Sequence, residues 1–483
     1  MYPNLLVKRV QLTPDRVALE IEGQQWTWRE VYERALNLAQ DFPCSSGERV
    51  GFWSKNSETM YFYIQAALLK QCELVFYNDR LTEEEFLFQQ LDSEVVWTVT
   101  DRKDRAFLEN VYLYEQFVSL KSVPFEVQPN WSREQTISIM YTSGTTGRPK
   151  GVRQTLENHV TSALGSALNL GVLPEDKWLC VMPLYHISGF SMIMRSLLYG
   201  SSLQLHEKFE PQTVLEAIRK TGVTHLSVVT TMLSQLLREF EQDEESLPSS
   251  FRTILAGGGP VPIPYLERAQ SSGFPVVQTY GMTETSSQTC TLLPEEAIRK
   301  AGSAGKPLFF ADVRIDGDQE GEILVRGAHV TPGYVGHAST LPATSEEGWL
   351  RTGDIGKFDS EGYLYILDRR SDLIVSGGEN IYPAEIEQAL LSHPEVLDAG
   401  VVAKLDDKWG QVPFAFIVVK GEEQPDLALF LSSKLAKYKQ PVGYRFVEIL
   451  PRNASNKLVR RELKKWIEKE AGNIETELNE LES

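Results

Sequence analysis

The sequence predicts an α/β protein whose large N-terminal domain is built from α/β sheets and a β-rich subdomain, followed by a smaller α+β C-terminal domain. Three observations predict this class. Short apolar runs alternate with stretches of helical periodicity up to about residue 285, which favours parallel sheets covered by helices. From about Ala311 to Leu367 the pattern changes to short strands separated by glycine-rich turns. After Gly378, further helix and strand patterns extend over roughly a hundred residues, enough for an independent domain.

The domain boundaries follow from composition. Residues 368–378 are charged at first and then rich in glycine, which is typical of a linker. We therefore place the N-terminal domain at residues 1–368, a hinge at 369–375 and the C-terminal domain at 376–483.

The individual elements are predicted from apolar periodicity. Near the N-terminus, helices are expected at Trp28 to Ala39 and Tyr61 to Leu69, and strands at Arg49 to Trp53 and Val95 to Thr100. The later N-terminal elements expected are a helix, Met232 to Phe240, and the strands Asp176 to Met182, Leu226 to Val229, Phe251 to Ala256 and Val276 to Tyr280. The C-terminal elements expected are the helices Pro383 to Leu391 and Leu427 to Tyr438, the strands Ala399 to Ala403 and Ala415 to Val419, and an acidic terminal helix.

Composition argues against several classes of protein. The formal net charge of −18 over 483 residues, with no basic block, argues against a nucleic-acid-binding protein. The four cysteines are scattered and form no C-x-x-C pair, which argues against a zinc site or disulfide framework and fits a reducing cytoplasm. The N-terminus lacks the pattern of a signal peptide, and no apolar stretch is long enough to span a bilayer. We expect a cytoplasmic protein without a transmembrane segment, and a homo-oligomer stays open.

The stretch from Tyr141 to Gly151 is the centre of the functional argument. Its sequence is Y-T-S-G-T-T-G-R-P-K-G, which combines glycines, hydroxyl residues and two cations. Thr136 to Ile139 alternates polar and apolar residues as a half-buried strand does, and a helical pattern runs from Leu156 to Gly171. We predict a loop between a strand and a helix whose backbone N–H groups, hydroxyls and lysine suit a polyphosphate.

The spacing within this loop excludes a Walker A motif. Walker A needs four residues between its first glycine and a Gly-Lys-Ser/Thr end. Here two residues separate Gly144 from Gly147, and Lys150 is followed by Gly151. An ordinary surface loop rich in glycine and threonine is the alternative interpretation.

The whole string resembles the signature loop of the adenylate-forming superfamily, which includes acyl- and aryl-CoA synthetases, beetle luciferases and the adenylation domains of peptide synthetases. The resemblance implies that the loop binds the β- and γ-phosphates of ATP. The implied ATP-binding residues are Thr142, Ser143, Gly144, Thr145, Thr146, Gly147 and Lys150. Thr142 is also implied in catalysis, and Thr145 in binding the metal.

A second motif, T-Y-G-M-T-E-T, begins at Thr279. The resemblance implies that Tyr280 stacks on adenine, that Thr283 donates to the α-phosphate and that Glu284 holds Mg²⁺ on the triphosphate. One carboxylate is enough, because Mg²⁺ is usually held by one or two carboxylates together with phosphates. A simple turn at the end of a strand is the alternative. The implied nucleotide contacts here are Tyr280, Gly281, Met282 and Thr283.

Three glycines, Gly257, Gly258 and Gly259, end a predicted strand. A tight turn would use glycine anywhere, and this interpretation stays open for each of them. The resemblance implies that Gly257 and Gly258 lie beside the nucleotide and Gly259 beside the acyl group.

Five further residues are implied in ribose binding, domain movement and the CoA tunnel. The resemblance implies that Asp354 accepts hydrogen bonds from both ribose hydroxyls and that Arg369 is the second ribose contact. Two residues after that arginine the family has its hinge, usually Asp or Lys, where this chain has Ser371. Gly377 and Gly378 resemble the loop that lines the tunnel for the pantetheine arm of CoA.

Two motifs supply the remaining catalytic candidates. His186 lies in P-L-Y-H-I-S-G and Lys457 ends P-R-N-A-S-N-K. Alone, His186 could be structural and Lys457 a solvated charge. The resemblance implies instead that His186 lines the channel near the reacting carboxylate and that Lys457 is the catalytic lysine of the C-terminal domain.

Together the motifs imply an acid–CoA ligase that uses ATP, Mg²⁺ and CoA, with a small carboxylic acid as its other substrate. Three strings, P-L-Y-H-I-S-G, D-R-R-S-D-L-I and P-R-N-A-S-N-K, look most like the o-succinylbenzoate–CoA ligase subfamily. That acid carries a second carboxylate, so the acyl pocket should hold a cation, because a buried unpaired charge is costly. Arg195 is the candidate, and a solvated helix residue is its alternative.

Three other functions stay open at this point. The first is a CoA ligase for another aryl or acyl acid. The second is an adenylating enzyme that loads a carrier protein. The third is a nucleotide-binding regulator without catalysis, against which the presence of Glu284 and Lys457 argues.

Overall fold

The computed structural model describes residues 1–142, 148–241, 245–259, 261–406, 408–421, 423–453 and 457–467. Its helices are α1 (Leu5–Leu12), α2 (Trp28–Asp41), α3 (Glu58–Leu69), α4 (Glu83–Asp92), α5 (Tyr114–Phe117), α6 (Leu156–Leu170), α7 (Ile187–Tyr199), α8 (Pro211–Lys220), α9 (Thr230–Phe240), α10 (Ile263–Ser271), α11 (Pro383–Leu391), α12 (Leu427–Ser432) and α13 (460–467).

The strands are β1 (Tyr2–Pro3), β2 (Val17–Ile21), β3 (Gln24–Thr27), β4 (Arg49–Phe52), β5 (Glu73–Phe76), β6 (Trp97–Thr100), β7 (Val111–Leu113), β8 (Asn130–Trp131), β9 (Thr136–Thr142), β10 (Lys150–Thr155), β11 (Lys177–Cys180), β12 (Ser202–Leu205), β13 (His225–Val229), β14 (Thr253–Gly257), β15 (Val276–Met282), β16 (Ser287–Leu292), β17 (Lys306–Pro307), β18 (Asp312–Asp316), β19 (Gly321–Arg326), β20 (Gly333–Val335), β21 (Leu350–Phe358), β22 (Leu364–Arg369), β23 (Ile374–Ser376), β24 (Glu379–Ile381), β25 (Val396–Asp406), β26 (Gly410–Val419) and β27 (Tyr444–Phe446).

Two large sheets form most of the N-terminal part of the chain. One has the strand order β20-β10-β9-β5-β4-β6-β7, and the other has the order β17-β16-β15-β14-β13-β11-β12-β2-β3. Neighbours run parallel from β9 to β7 in the first sheet and from β15 to β2 in the second. Antiparallel strands are added at the edges. The predicted parallel α/β arrangement is therefore confirmed in the centre of each sheet.

The largest apolar core lies between these two sheets. Phe52 and Phe76 of the first sheet and Trp178 and Leu203 of the second pack in one cluster with side chains of α2, α3 and α7. The outer face of the second sheet is covered by α8, α9 and α10. The outer face of the first sheet carries α4, which contributes the buried Phe86. The loops at the strand ends are thus held by a layered framework.

The residues after the predicted phosphate-binding loop form strand β10, so the prediction of a loop that joins a strand directly to a helix is wrong. β10 pairs antiparallel with β9 on one side and with β20 on the other, and Val152 at its centre is buried. Helix α6 begins only at Leu156, where the Thr155 hydroxyl accepts a hydrogen bond from the Asn158 N–H at 3.2 Å.

The predicted β-rich subdomain and a separately packed C-terminal part are both present. β18, β19, β21 and β22 form an antiparallel sheet. Further along the chain, β24, β23, β26 and β25 form another sheet, and β27 pairs with β26. The core of this C-terminal sheet contains Ile374, Ile386, Val401, Ile417 and Leu431, all later in the chain than β22.

Two C-terminal helices differ from their predicted extents. α12 ends at Ser432 rather than Tyr438, because the hydroxyls of Ser432 and Ser433 donate to the carbonyls of Leu429 and Phe430 and compete with the helix. A helix forms over 460–467, and the acidic stretch after it, where the acidic terminal helix is predicted, lies outside the described residues. None of the helices in the described ranges has the length and apolar character needed to cross a bilayer.

Candidate active site

The glycine motif and the tyrosine motif meet at one edge of the second sheet. Gly257 ends β14, and Tyr280 to Met282 ends the neighbouring parallel strand β15. On its other side β14 pairs with β13, with Val229 opposite Gly257. Because parallel strands end at the same edge, the residues that follow them line one cleft, which is where ligands bind in such sheets.

Two glycines of this cleft are required by close approach. Gly281 has the Ser287 carbonyl oxygen only 1.6 Å from where a Cβ atom would lie, so a side chain is excluded there. Gly258 has a φ of +84°, in the left-handed region, and a Cβ atom there would lie 3.2 Å from Val229 Cγ1. At Gly281 the close approach excludes a side chain, while at Gly258 the left-handed backbone also favours glycine, as a tight turn would.

The proposed adenine and ribose residues form one cluster. The Tyr280 hydroxyl donates to Asp354 Oδ2 at 2.8 Å, and Arg369 Nε lies 3.3 Å from Asp354 Oδ1. Asp354 and Arg369 face each other across β21 and β22, which sets their distance. Burial raises the pKa of the Asp354 carboxyl, while Arg369 lowers it. The sequence prediction thus named three residues that the fold brings into contact.

Glu284 lies in a short turn directly after β15, at the edge of the same cleft. Its carbonyl oxygen accepts a hydrogen bond from the Thr331 N–H at 2.7 Å, which fixes the turn. Burial raises the pKa of its carboxyl, and the nearby Arg369 and Lys457 lower it. Within the described ranges it makes no ion pair, and no group of three metal-ligating side chains occurs. A single desolvated carboxylate of this kind fits a cation that is also held by phosphates.

The two strands on either side of the predicted phosphate-binding loop are hydrogen-bonded to the tyrosine motif. Thr142 at the end of β9 lies opposite Lys150 at the start of β10. Gln154 on β10 donates from Nε2 to the Thr283 carbonyl at 2.9 Å. Ser138 on β9 bonds to Gln154, so β9, β10 and the Thr283 turn form one hydrogen-bonded unit. Ser143, Gly144, Thr145, Thr146 and Gly147 lie outside the described residues.

Two residues of this site were missed by the sequence analysis. Tyr334 on β20 lies under Lys150, whose Nζ is 5.5 Å from the ring centroid. Burial and the Glu284 carboxylate raise the pKa of Tyr334 to about 12, which also places this tyrosine near the proposed metal ligand. The second is Gln154, described above. The sequence offers only a weak signal for Tyr334, namely an aromatic residue in a short strand-like segment. The pairing of β20 with β10, which brings Tyr334 to Lys150, is not visible in the sequence.

Lys457 lies in the cleft although it belongs to the C-terminal part of the chain. Its Cε atom is 3.7 Å from the position of a Cβ atom on Gly258. Its N–H donates to Asn453 Oδ1 at 2.9 Å, which holds the segment that carries it. Burial and then Arg369 lower the pKa of the ammonium, while Asp354 and Glu284 raise it. Lys457 as a whole residue is exposed, so solvent reaches part of it.

His186 lies at the start of α7, beside Tyr185, with ring centroids 4.8 Å apart. Burial, and to a smaller extent the Lys457 charge, lower the pKa of His186 to about 4. The imidazole is therefore neutral at pH 7, and it lies close enough to Lys457 for the ammonium charge to lower its pKa. The place of His186 near the reacting carboxylate stays a prediction.

Arg195 is buried, with 2% of its surface exposed, so the alternative of a solvated helix residue is wrong. Its Nη2 donates to Gln288 Oε1 at 2.9 Å and to Ser287 Oγ at 3.2 Å, and its guanidinium lies 5.5 Å from the Trp178 ring centroid. Its Nε has no hydrogen-bond partner among the described residues. A buried cation held only by neutral groups can accept an anionic ligand.

The residues predicted for the hinge and the CoA tunnel lie away from these contacts. Ser371 is exposed in the turn after β22. Gly377 and Gly378 form the exposed turn between β23 and β24, where the Gly377 N–H donates to the Trp409 carbonyl at 2.9 Å. The exposed position of this turn leaves it free of the contacts that hold Lys457 in the cleft.

Comparison with known families gives two matches along the chain. The model described as AMP-binding enzyme matches residues 6–335. The model described as AMP-binding enzyme C-terminal domain matches residues 385–457. The second match ends at the lysine that lies in the cleft.

Two relatives are similar over nearly the full length. The 2-succinylbenzoate–CoA ligase of Bacillus cereus is 46% identical over 477 residues, which cover 96% of this chain and 99% of the relative. The o-succinylbenzoate CoA synthetase of Bacillus subtilis in complex with the acyl-adenylate intermediate OSB-AMP has a TM-score of 0.89 and 42% identity, covering 96% of this chain and 98% of that chain. A double mutant of the same enzyme with the product analogue OSB-NCoA has a TM-score of 0.73 and 43% identity, with the same coverage.

Proposed function

The chain belongs to the AMP-binding enzyme family, and we propose that it is an ATP-dependent ligase that joins 2-succinylbenzoate to CoA through an acyl adenylate. The observation that carries this proposal is the position of Lys457, which lies against Gly258 and is close enough to Glu284 and Asp354 for their charges to raise its pKa. The full-length identity to a 2-succinylbenzoate–CoA ligase supports the choice of acid. By the same likeness we propose a role in menaquinone biosynthesis.

The chemistry requires two steps because a carboxylate is a poor electrophile. In the first step, a carboxylate oxygen of the acid attacks the α-phosphorus of ATP and pyrophosphate leaves. In the second step, the sulfur of CoA attacks the acyl carbon, AMP leaves and the thiol proton is lost to solvent. The products are the acyl-CoA, AMP and pyrophosphate.

We assign the nucleoside to the Tyr280 cluster. The Asp354 carboxylate, already oriented by the Tyr280 hydroxyl and by Arg369, would accept the ribose hydroxyls. The ring of Tyr280 would lie against adenine, beside the glycines that end β14. Because Asp354 is fixed before the ligand binds, little ordering is needed at the moment of binding.

We assign the triphosphate to Thr142, Lys150 and Glu284. Lys150 would contribute positive charge, and Glu284 would hold Mg²⁺ together with the phosphates. The ion supplies charge neutralisation on the leaving pyrophosphate when it is bound. Gln154 keeps the strand of Lys150 and the Thr283 turn at a constant distance, so these groups approach the nucleotide as one unit.

We propose that Lys457 acts between the attacking carboxylate and the α-phosphate. A lysine ammonium is a compact charge, and it stabilises best the place where negative charge increases in the transition state. His186, neutral at pH 7, would contact the reacting carboxylate without adding a second positive charge.

We propose that Arg195 binds the benzoate carboxylate, the one that does not react. The guanidinium is buried and has only the neutral partners Gln288 and Ser287 in hydrogen-bond range among the described residues. Bidentate pairing with a carboxylate is the geometry that arginine favours. The pocket would then select an acid with two carboxylates over an acid with one.

We propose that the structure corresponds to the first half-reaction. The higher TM-score against the adenylate complex and the place of Lys457 both support this arrangement. For the second half-reaction, the domain 376–483 would rotate on the hinge 369–375 at Ser371 relative to the domain 1–368. Gly377 and Gly378 would then reach the cleft and line the path of the CoA arm.

The test of this function is acid-dependent exchange between ATP and labelled pyrophosphate over a panel of carboxylic acids, followed by detection of the CoA thioester. We expect 2-succinylbenzoate to give the highest exchange and a thioester with free CoA. Highest exchange with another acid would change the substrate, and exchange without a thioester would indicate a carrier protein as acceptor. Nucleotide binding without exchange would indicate a regulator. We further propose that the protein acts in the cytoplasm on these small molecules.

A further inference from the structure

We infer that Asp92 is a positioning residue for the ATP-binding strands β9 and β10, because its carboxylate joins the end of β9 to the turn that follows β20. The inference rests on the proposed function, in which Thr142 and Lys150 bind the triphosphate. Asp92 belongs to α4, on the opposite face of the first sheet from the large central core, and none of the functional motifs contains it.

Both oxygens of the Asp92 carboxylate accept hydrogen bonds, and the donors lie in two segments that are distant in the sequence. Oδ2 accepts a hydrogen bond from the Tyr141 hydroxyl at 2.8 Å. Oδ1 lies 2.7 Å from the His337 backbone nitrogen, which donates to it, and 2.8 Å from His337 Nδ1. Only 6% of the Asp92 side chain is exposed. Because both oxygens of this buried carboxylate accept hydrogen bonds, the positions of Tyr141 and His337 are coupled to Asp92.

The place of Asp92 on its helix is not explained by helix stability. Asp92 is the last residue of α4, where the partial negative charge of the helix end disfavours a carboxylate. The first turn of the same helix carries Glu83, Glu84 and Glu85, where negative charge is favourable. The Tyr141 hydroxyl also lies 3.1 Å from the Gln89 carbonyl and so contacts the same helix end. The contacts of Asp92 beyond its own helix therefore account for its position.

The turn beside Asp92 is shaped for this contact. Gly336 has a φ of +61°, and a Cβ atom there would lie 2.3 Å from Asp92 Cγ. Any other residue at Gly336 would push the turn away from the carboxylate. The turn follows β20 directly, so its position also sets the end of that strand.

The sheet order shows what the carboxylate holds together. β10 lies between β9 and β20, with Gly151 opposite Tyr141 on one side and opposite Val335 on the other. Asp92 joins the two outer strands of this group through Tyr141 and His337. The central strand β10, which carries Lys150, is therefore braced from both sides.

The hydrogen bonds of Asp92 also fix the surroundings of both proposed phosphate ligands. Thr142 follows Tyr141 in the chain and pairs with Lys150 across the sheet. Lys150 lies over the Tyr334 ring on β20, close to the turn that Asp92 binds. Release of Asp92 should therefore displace Thr142 and Lys150 together, which predicts weaker MgATP binding and no direct effect on the acid.

The test measures MgATP binding and both half-reactions for Asp92→Asn, Tyr141→Phe and the double variant. We expect each single variant to raise the Kd and the KM for MgATP about tenfold, the size expected for a hydrogen bond to a charged group. The KM for the acid should change less than about twofold. Thioester formation from pre-made acyl adenylate and CoA should be unchanged, because no β- or γ-phosphate takes part in it.

The double variant separates positioning through Tyr141 from a general loss of stability. If Asp92 acts through Tyr141, the double variant should bind MgATP about as well as the weaker single variant, since coupled residues are not additive. Asp15→Asn is the matched control, because among the described residues Asp15 forms an ion pair only with the exposed Arg29 on the surface. It should leave the Kd for MgATP at the wild-type value.

Three results would overturn the inference. They are an unchanged Kd for MgATP in both single variants, equal increases in KM for MgATP and for the acid, and a thioester step that slows as much as the first step. Equilibrium binding of MgATP decides the question even without turnover. Wild-type protein that binds MgATP but shows no exchange would contradict the proposed ligase function, and the binding series would still decide the role of Asp92.

Discussion

The Cε atom of Lys457 lies 3.7 Å from the position that a Cβ atom would take on Gly258, so a C-terminal side chain reaches the end of a strand of the second sheet. A Cβ atom at Gly258 would be in van der Waals contact with Lys457 and would approach Val229 Cγ1 more tightly, at 3.2 Å. The lysine stem therefore packs directly against the glycine that follows β14. We expect the first half-reaction to depend on this meeting of the two parts of the chain.

Glu284→Gln should reduce ATP–pyrophosphate exchange by roughly 100-fold, the size of one lost electrostatic contact in a transition state. The amide keeps the shape of the side chain but cannot neutralise a cation, so the Mg²⁺ concentration for half-maximal activity should rise. The measurement is the exchange rate as a function of Mg²⁺ concentration at saturating acid. Glu346→Gln, at an exposed glutamate, is the control. Wild-type exchange and Mg²⁺ dependence in Glu284→Gln would show that this carboxylate does not hold the metal.

Arg195→Met should raise the KM for 2-succinylbenzoate about 100-fold and the KM for MgATP by less than about twofold. Methionine fills most of the volume of the arginine stem but carries no charge, so a buried carboxylate would lose its counter-charge. The measurement is the steady-state exchange rate with each substrate varied in turn. Equal changes for the two substrates would instead indicate a general packing defect around Trp178.

A truncated acid provides the matched control for Arg195. 4-Oxo-4-phenylbutanoate has the reacting carboxylate but lacks the one on the ring. We expect wild-type protein to use it poorly and Arg195→Met to use it no worse. If Arg195→Met used the truncated acid less well than wild-type protein does, Arg195 would act on something other than the second carboxylate.

Much of the site could be predicted because its residues occur in local motifs at strand ends. Tyr280 and Glu284 follow a β-branched apolar strand, and parallel strands bring such ends to one edge without any distant information. Arg195 could be chosen because it is a cation in an otherwise apolar helical pattern. In these cases, residue type and short-range periodicity contain the physical cause of the position.

The rest of the site depends on pairing between segments that are distant in the sequence, and no local pattern predicts such pairing. β10 pairs with its sequence neighbour β9, but its second neighbour, β20, comes nearly two hundred residues later and places β10 inside the sheet rather than at its edge. Tyr334 enters the site only through that pairing. Arg195 donates a hydrogen bond to Gln288 on β16, which the chain reaches after it reverses direction at the end of β15. The register of this antiparallel pair shifts at a bulge between Tyr280 and Gly281. Such contacts depend on tertiary packing rather than on the propensity of the segment.

His159→Gln should make the protein less sensitive to acid. His159 is buried with its Nε2 at 2.8 Å from Ser138 Oγ, and burial lowers its pKa from 6.5 to about 3. Below pH 6.5, His159 is protonated in the unfolded chain but stays neutral in the folded chain. The free energy of unfolding therefore falls as the pH drops from 6.5 toward 3. The slope from one such histidine approaches about 1.4 kcal/mol per pH unit.

The measurement is the free energy of urea unfolding between pH 7.5 and 4.5. His159→Gln should remove the contribution of one histidine from the slope in the acidic half of this range. Ser138→Ala, which removes the hydrogen-bond partner but no titrating group, should lower stability by the same amount at every pH. Equal slopes in wild-type protein and His159→Gln would show that this histidine does not resist protonation.

Lys457→Ala should separate the two half-reactions. The ammonium lies in the cleft among Glu284, Asp354 and Arg369, where it can meet the charge that builds between the acid and the α-phosphate. Adenylation should therefore fall roughly 100- to 1,000-fold. Thioester formation from pre-made acyl adenylate and CoA should fall less than about threefold, because rotation at the hinge would carry Lys457 out of the cleft. The measurement is the single-turnover rate of each half-reaction.

Ser371→Pro provides the complementary variant, since Ser371 is exposed in the turn between β22 and β23 and lies outside the cleft. Proline fixes φ at its own position and restricts Arg370 before it, so rotation at this turn should be hindered. Adenylation should stay close to wild type, because the structure already has Lys457 in place, while the thioester step should slow. The two variants should therefore fail in opposite half-reactions. If Lys457→Ala slows both steps equally and Ser371→Pro slows neither, one arrangement of the domains serves both reactions and the proposed rotation is wrong.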